Sequence, residues 1–190
     1  YPVEGNVRPY DMVGWNATPA AQDAAFSPAV TLTTNIPAAD AAYSPAITLA
    51  GDIDNVQIDI PVDDDTAILV NHVMVIDSER MKVINKTNPN NPEVVRAVSG
   101  TLAASHLTGA AVSHSGFALV YTSTGDPIAA SLYIRIDSET LSVGTVDTVN
   151  NVISVARAQF GTTAATHAAA ASVLVGPSTL ALLNASVFGS

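Results

Sequence analysis

Two acids, an arginine and a histidine occur in the same order twice in this chain. Asp77 and Glu79 are followed by Arg96 and His106, and Asp137 and Glu139 by Arg157 and His167. Residues two apart on a strand share a face, so either acid pair could hold a metal ion or work as an acid–base couple. A hydrolase would need a nucleophile, a base and an orienting group, and the histidines could be the bases. No Gly-x-Ser-x-Gly elbow is present to supply the nucleophile. No phosphate loop, dinucleotide fingerprint or zinc pattern appears, and nothing in the local spacing requires a metal shared by the two histidines. Each acid pair falls at a strand-to-strand turn, where carboxylates cap free amides. A ring that fastens a loop to a sheet is the reading favoured for His106 and His167. The sequence therefore predicts structural roles, with no catalytic residue, metal or cofactor.

Other candidates carry less. Asp63-Asp64-Asp65 lacks the alternating ligands, glycine and closing glutamate of a calcium loop and reads as an exposed acidic turn. His72 and His114 have no counterpart in the repeat and no motif, and read as ordinary residues.

The elements that must position these side chains follow from the repetition itself. Ile76-Asp77-Ser78-Glu79 returns as Ile136-Asp137-Ser138-Glu139. The stretch from Arg96 through Gly100 and Thr101 to His106 returns from Arg157 through Gly161 and Thr162 to His167, displaced by one residue more than the first block. Ala110 and Val112 match Ala171 and Val173 in the same way. The extra residue falls between the two blocks, where a hairpin loop absorbs it. In each copy a run of alternating apolar residues enters the Asp-Ser-Glu turn and another leaves it, as half-buried strands do. In the first copy, Ala67 to Ile76 is expected to form one strand, with Ile68, Val70, His72, Met74 and Ile76 on one face.

A smaller repeat precedes these. Asp23-Ala24-Ala25-Phe26-Ser27-Pro28-Ala29-Val30-Thr31-Leu32 recurs shortly afterwards as Asp40-Ala41-Ala42-Tyr43-Ser44-Pro45-Ala46-Ile47-Thr48-Leu49. Both read as short strands entered through Ser-Pro, with pairing to each other as one arrangement. Val56-Gln57-Ile58-Asp59-Ile60 alternates like a further half-buried strand. Residues 1–20 are broken by prolines and glycines yet carry Tyr10 and Trp15, which suit anchors onto the protein's own core or onto a partner. Phe188 ends an apolar stretch that suits the same role. The expected architecture is mainly β: residues 1–60 as an extended N-terminal arm region, 61–121 and 122–176 as two tandem β-modules related by duplication, and 177–190 as a tail.

Composition narrows the partners. Hydrophobic residues make up 48% of the chain but aromatics only 5%, and much of the remainder is alanine, so each module has a thin core and should lean on its neighbours. Seventeen acidic residues against seven basic ones, with no basic stripe, argue against nucleic-acid binding. The absence of cysteine removes disulfides and thiolate metal sites. The first residues lack a signal-peptide pattern, and the uncharged run after Pro177 is too short to cross a bilayer, so a soluble protein with no membrane partner is expected.

The pattern Ile-Asp-Ser-Glu-x-[Met/Leu]-x-Val, then a hairpin, then Arg-Ala-x-x-Gly-Thr-x-Ala-Ala-x-His resembles a small β-module of tailed-bacteriophage virion proteins, found in head-decoration, tail and fibre-associated proteins. Asp77, Glu79, Arg96, Gly100, Thr101 and His106 carry the resemblance in the first copy. Asp137, Glu139, Arg157, Gly161, Thr162 and His167 carry it in the second. Ala97 and Ala158 depart from the glycine usual after the arginine, and Ala171 stands where a glycine often lies. The resemblance covers roughly residues 67–175. It implies a non-enzymatic structural protein located in the virion, with no cofactor, that binds other virion proteins and associates with itself. Size favours a capsid decoration protein. A tail or fibre component, a carbohydrate-binding β-module and, more distantly, a hydrolytic domain using one of the histidines are the alternatives.

Overall fold

The computed structural model describes residues 24–122 and 128–176. Tyr10, Trp15 and Phe188 lie outside those residues. Short β-branched and apolar runs become strands. Eleven strands result: β1 (Ala25–Leu32), β2 (Ala41–Thr48), β3 (Val73–Ile76), β4 (Glu79–Asn85), β5 (Glu93–Val95), β6 (Ala111–His114), β7 (Ala118–Thr122), β8 (Tyr133–Ile136), β9 (Glu139–Asp147), β10 (Val152–Ala156) and β11 (Ser172–Val175). The protein is mainly β, with two sheets and antiparallel pairing between all neighbouring strands.

One sheet is a closed barrel in the order β1-β11-β8-β9-β10-β7, and the other has five strands in the order β2-β6-β3-β4-β5. The two short strands of the smaller repeat do not pair with each other. β1 lies beside β11 and β7 in the barrel, whereas β2 lies beside β6 in the five-stranded sheet. Their apolar residues enter separate cores. Phe26, Val30 and Leu32 complete the barrel core, and Tyr43, Ile47 and Leu49 complete the core of the sheet. Residues 25–60 are thus built into both sheets and do not form an arm. In chain order the barrel supplies its first strand, the five-stranded sheet follows whole, and the barrel then resumes at β7.

Two further expectations change. Val56 to Ile60 is not a regular half-buried strand: Ile60 is buried, but Val56 and Ile58 are 73% and 46% exposed. The segment still matters, because bridges from Asp59 to Glu93 and from Leu49 to Val62 carry it across from β5 to the end of β2. It occupies in the sheet the position that β7 holds in the barrel, where Leu32 pairs with Tyr121. The strand expected from Ala67 begins only at Val73. Asn71 has a φ of 71°, which breaks the extended run, so Val70 is exposed while Ile68 and His72 stay buried.

The same positions do the same things in the two sheets. Ile76 pairs with Glu79 across the turn as Ile136 pairs with Glu139, and Ile76 with Val112 as Ile136 with Val173. Left-handed residues match as well: Asp77 and Asp137 (φ 52° in both), Ala97 and Ala158 (57° and 56°), and Gly100 and Gly161 (76° in both). The sheets pack through a small apolar seam of Val73, Val95 and Val98 on one side and Ala118, Val120 and Val152 on the other. Lys82 Nζ donates to the Asn150 carbonyl across it.

Candidate functional site

Each strand that leaves the Asp-Ser-Glu turn starts with its glutamate pointing inward. Alternation along β4 buries Glu79, Met81 and Val83, and along β9 it buries Glu139, Leu141 and Val143. A carboxylate fully withdrawn from water carries a heavy desolvation penalty unless it is paired. Both are paired completely. Glu79 Oε1 accepts from Arg96 Nε at 2.7 Å and from the Ala97 amide at 3.2 Å. Its Oε2 accepts from Arg96 Nη2 at 2.7 Å, the Ala104 amide at 3.0 Å and His106 Nε2 at 3.0 Å. In the barrel, Glu139 Oε1 accepts from Arg157 Nε at 2.7 Å and the Ala158 amide at 3.0 Å. Oε2 accepts from Arg157 Nη2 at 2.7 Å, the Ala165 amide at 3.0 Å and His167 Nε2 at 2.9 Å.

Burial pushes both glutamates toward the neutral form. The bidentate arginine, the loop amide and the histidine outweigh it and bring each carboxyl down to about 2. An ionised Glu79 or Glu139 has no proton to give, so Nε2 of the facing histidine is the donor. The other ring nitrogen reaches back to the turn: His106 Nδ1 lies 2.6 Å from Asp77 Oδ2, and His167 Nδ1 lies 2.7 Å from Asp137 Oδ2. The two aspartates are the exposed members of their clusters.

Arginine extends each cluster into the surrounding loops. Arg96 Nη1 donates to the carbonyls of Asp54 and Gln57, and Nη2 to that of Ala104. Arg157 Nη1 donates to the carbonyls of Pro37 and Gly116, and Nη2 to that of Ala165. The chain also pairs at the histidines, Ile53 with His106 and Ile36 with His167. Thr101 and Thr162 finish the pattern: each hydroxyl accepts the amide that follows its glutamate, from Arg80 or Thr140, and donates to the carbonyl of Val98 or Gln159. One side chain of each type therefore ties the Asp-Ser-Glu hairpin to loops far away in sequence.

The sequence-predicted residues converge as two clusters, one in each sheet, and Gly100 and Gly161 supply the left-handed turns before the two threonines. The glutamates do not cap the turn itself; they capture amides from the loops at residues 97 and 104, and at 158 and 165. Both oxygens of each glutamate and both nitrogens of each histidine are engaged within the chain. The Thr101 and Thr162 hydroxyls beside them are likewise taken up by backbone groups. Among the described residues, no group of three or more His, Cys, Asp or Glu side chains is placed to hold a metal ion. The carboxylates of Asp63, Asp64 and Asp65 accept backbone amides from Thr48, Thr66 and Asn90 respectively.

Sequence reasoning missed one group. His72 and His114 lie together with Tyr43 in the core of the five-stranded sheet, with 4.0 Å between the imidazole centroids. No motif marks them. The available signal was the contrast with Phe26, Leu132 and Val175 at the matching positions of the barrel.

No protein-family model, curated protein or solved structure matches this chain. No described helix is long and apolar enough to cross a membrane, which leaves β-strand spans untouched.

Proposed function

We propose that this chain is a non-enzymatic structural protein of a bacteriophage virion, most simply a capsid decoration protein that binds and stabilises the particle. The observation that carries this reading is the self-closure of the Asp-Glu-Arg-His cluster in both sheets. The residues whose types suggest chemistry are taken up in holding loops, so what the chain offers a partner is a rigid surface. Two such units in one chain are most simply explained by internal duplication, and the module they resemble is a virion building block. Charge supports a protein partner over nucleic acid. All six basic side chains among the described residues bond internally, through Arg80–Asp40, Lys82–Asn150, Lys86–Asp65, Arg96–Glu79, Arg135–Asp137 and Arg157–Glu139. The remaining surface charge is acidic, which suits a partner with a basic docking face.

The test is compositional and spatial. Particles purified from a lysate of cells that produce this chain are dissociated, quantified by mass spectrometry and imaged with an antibody to the chain. The reading expects many copies per particle and label over the head. Label confined to the tail or fibres moves the assignment to those parts. Absence from purified particles removes the virion reading altogether.

A further inference from the structure

The sheet and the barrel share their buried clusters but differ at one place in the core. Tyr43 on β2, His72 just before β3 and His114 at the end of β6 form a stack of three buried rings. Tyr43 lies 5.9 Å from His72 and 5.7 Å from His114, and the imidazoles are within 20° of parallel. Backbone contacts fix the barrel's equivalents. The Val83 amide donates to the His72 carbonyl as the Val143 amide donates to that of Leu132. His114 pairs with Met74 as Val175 pairs with Ile134. With Phe26 in place of Tyr43, the barrel fills the same space with three apolar side chains, all packed against its core.

The protonation chemistry of the stack is unforgiving. His72 Nδ1 accepts the Leu69 amide at 3.2 Å and lies 3.3 Å from the Tyr43 hydroxyl. Its single ring proton is therefore on Nε2, which is buried without a hydrogen-bond partner. A second proton must go to Nδ1, where it would point at the Leu69 N–H. If His114 took up a proton as well, two charged rings would be stacked 4.0 Å apart. The groups that face the pair offer no relief. Tyr43 on β2 is neutral, with burial raising its hydroxyl far above the usual range. Lys86, past the end of β4, is a cation held by Asp65 and by the carbonyls of Asp65 and Ile68. No described carboxylate bonds either ring. Burial, with Lys86 adding to it, holds His72 at about 4, and burial with His72 alongside holds His114 at about 3.

We propose that the Tyr43–His72–His114 stack is an acid-triggered latch, whose protonation opens the five-stranded sheet while the barrel stays folded. The Asp-Glu-Arg-His clusters cannot produce this difference, because both units contain them. Opening would uncover the apolar interior of one unit on an otherwise intact chain. The latch does not depend on the virion reading.

Amide hydrogen exchange of the native chain, resolved by residue and corrected for the intrinsic pH dependence of exchange, tests it between pH 7 and pH 4.5. Opening of β3, β4 and β6 should rise roughly fiftyfold over that range from His72 alone, while β8, β9 and β11 change by no more than a few-fold. The triple change Tyr43→Phe, His72→Leu and His114→Val installs the barrel's residues and should remove the difference. If that variant does not fold at pH 7, the reciprocal pair Leu132→His and Val175→His should transfer acid sensitivity to the barrel. Parallel loosening of both units in the native chain, or persistence of the difference without the histidines, overturns the proposal.

Discussion

The barrel and the five-stranded sheet solve one problem in the same way and another differently. Both bury a glutamate at the start of the strand after the turn and satisfy it with one arginine, two loop amides and one histidine, partner for partner at closely matching distances. Their apolar interiors, by contrast, differ: Phe26, Leu132 and Val175 in one are Tyr43, His72 and His114 in the other. Packing accepts any set of side chains that fills the volume. A buried charge network accepts almost no change, since losing one partner strands the others. Each unit is thus held fixed at its charge network and left free to vary in its core, which is where the acid-sensitive stack sits.

The arginines should show the largest effect. Arg96→Ala and Arg157→Ala each leave a buried carboxylate without its bidentate partner, and each should cost about 3–5 kcal/mol. Chemical denaturation should give losses of similar size for the two. A large loss for one and a negligible loss for the other would show that the clusters only look alike.

Removing a histidine is milder, because the glutamate keeps its arginine and amides. His106→Ala and His167→Ala should each lower stability by about 1–3 kcal/mol, visible as a fall in melting temperature, with no turnover lost and no metal released. Loss of an activity or of a stoichiometric metal with either change would contradict the structural role.

Acid separates the two kinds of buried group. A glutamate depressed to about 2 contributes stability that is complete above its unfolded value of 4.5 and is lost as pH falls toward 2. Histidines depressed to about 4 and about 3 contribute stability that is complete above 6.5 and is lost as pH falls from there toward those values. Stability of the native chain should therefore fall in two stages. The stage above pH 4.5 should vanish in the variant that carries the barrel's three residues, and the lower stage should remain. A single stage confined to pH below 4.5 would mean that the stack does not titrate as its burial demands.

The smallest effect concerns the backbone. Ala97 and Ala158 hold φ at 57° and 56°. That conformation costs an L-residue roughly 1–2 kcal/mol but is open to glycine. Ala97→Gly and Ala158→Gly should each stabilise the chain by up to about 1 kcal/mol, measured by thermal melting. Destabilisation by both would show that the methyl groups contribute more than the strain removes.

Much of this was legible in the sequence, for physical reasons particular to each element. The repeated Asp-Ser-Glu and Gly-Thr-x-Ala-Ala-x-His blocks marked both clusters, since a network that tolerates little change leaves recognisable residues behind. Ala97 and Ala158 hold a left-handed backbone that glycine adopts more readily, and nothing in their sequence marks it. The destination of β1 and β2 was not legible. Their sequences are nearly alike, and only long-range packing decides that Phe26 goes to the barrel and Tyr43 to the sheet. Nor was the start of the strand before Asp77, because alternation at Ile68, Val70 and His72 continues through Asn71, where the backbone turns. The ring stack was harder to see, since Tyr43, His72 and His114 come from three separate stretches of the sequence and only their contrast with Phe26, Leu132 and Val175 hints at it.

If the two clusters are equivalent internal fastenings, replacing their glutamates must have the same consequence in both units. Glu79→Gln and Glu139→Gln keep the shape but remove the charge on which the arginine and histidine of each cluster converge. The two variants, measured side by side by urea unfolding at pH 7, should each lose about 3–5 kcal/mol and match one another within about 1 kcal/mol. Native-like stability in either variant would contradict that equivalence and would reopen the cluster as a site kept for something other than holding the fold.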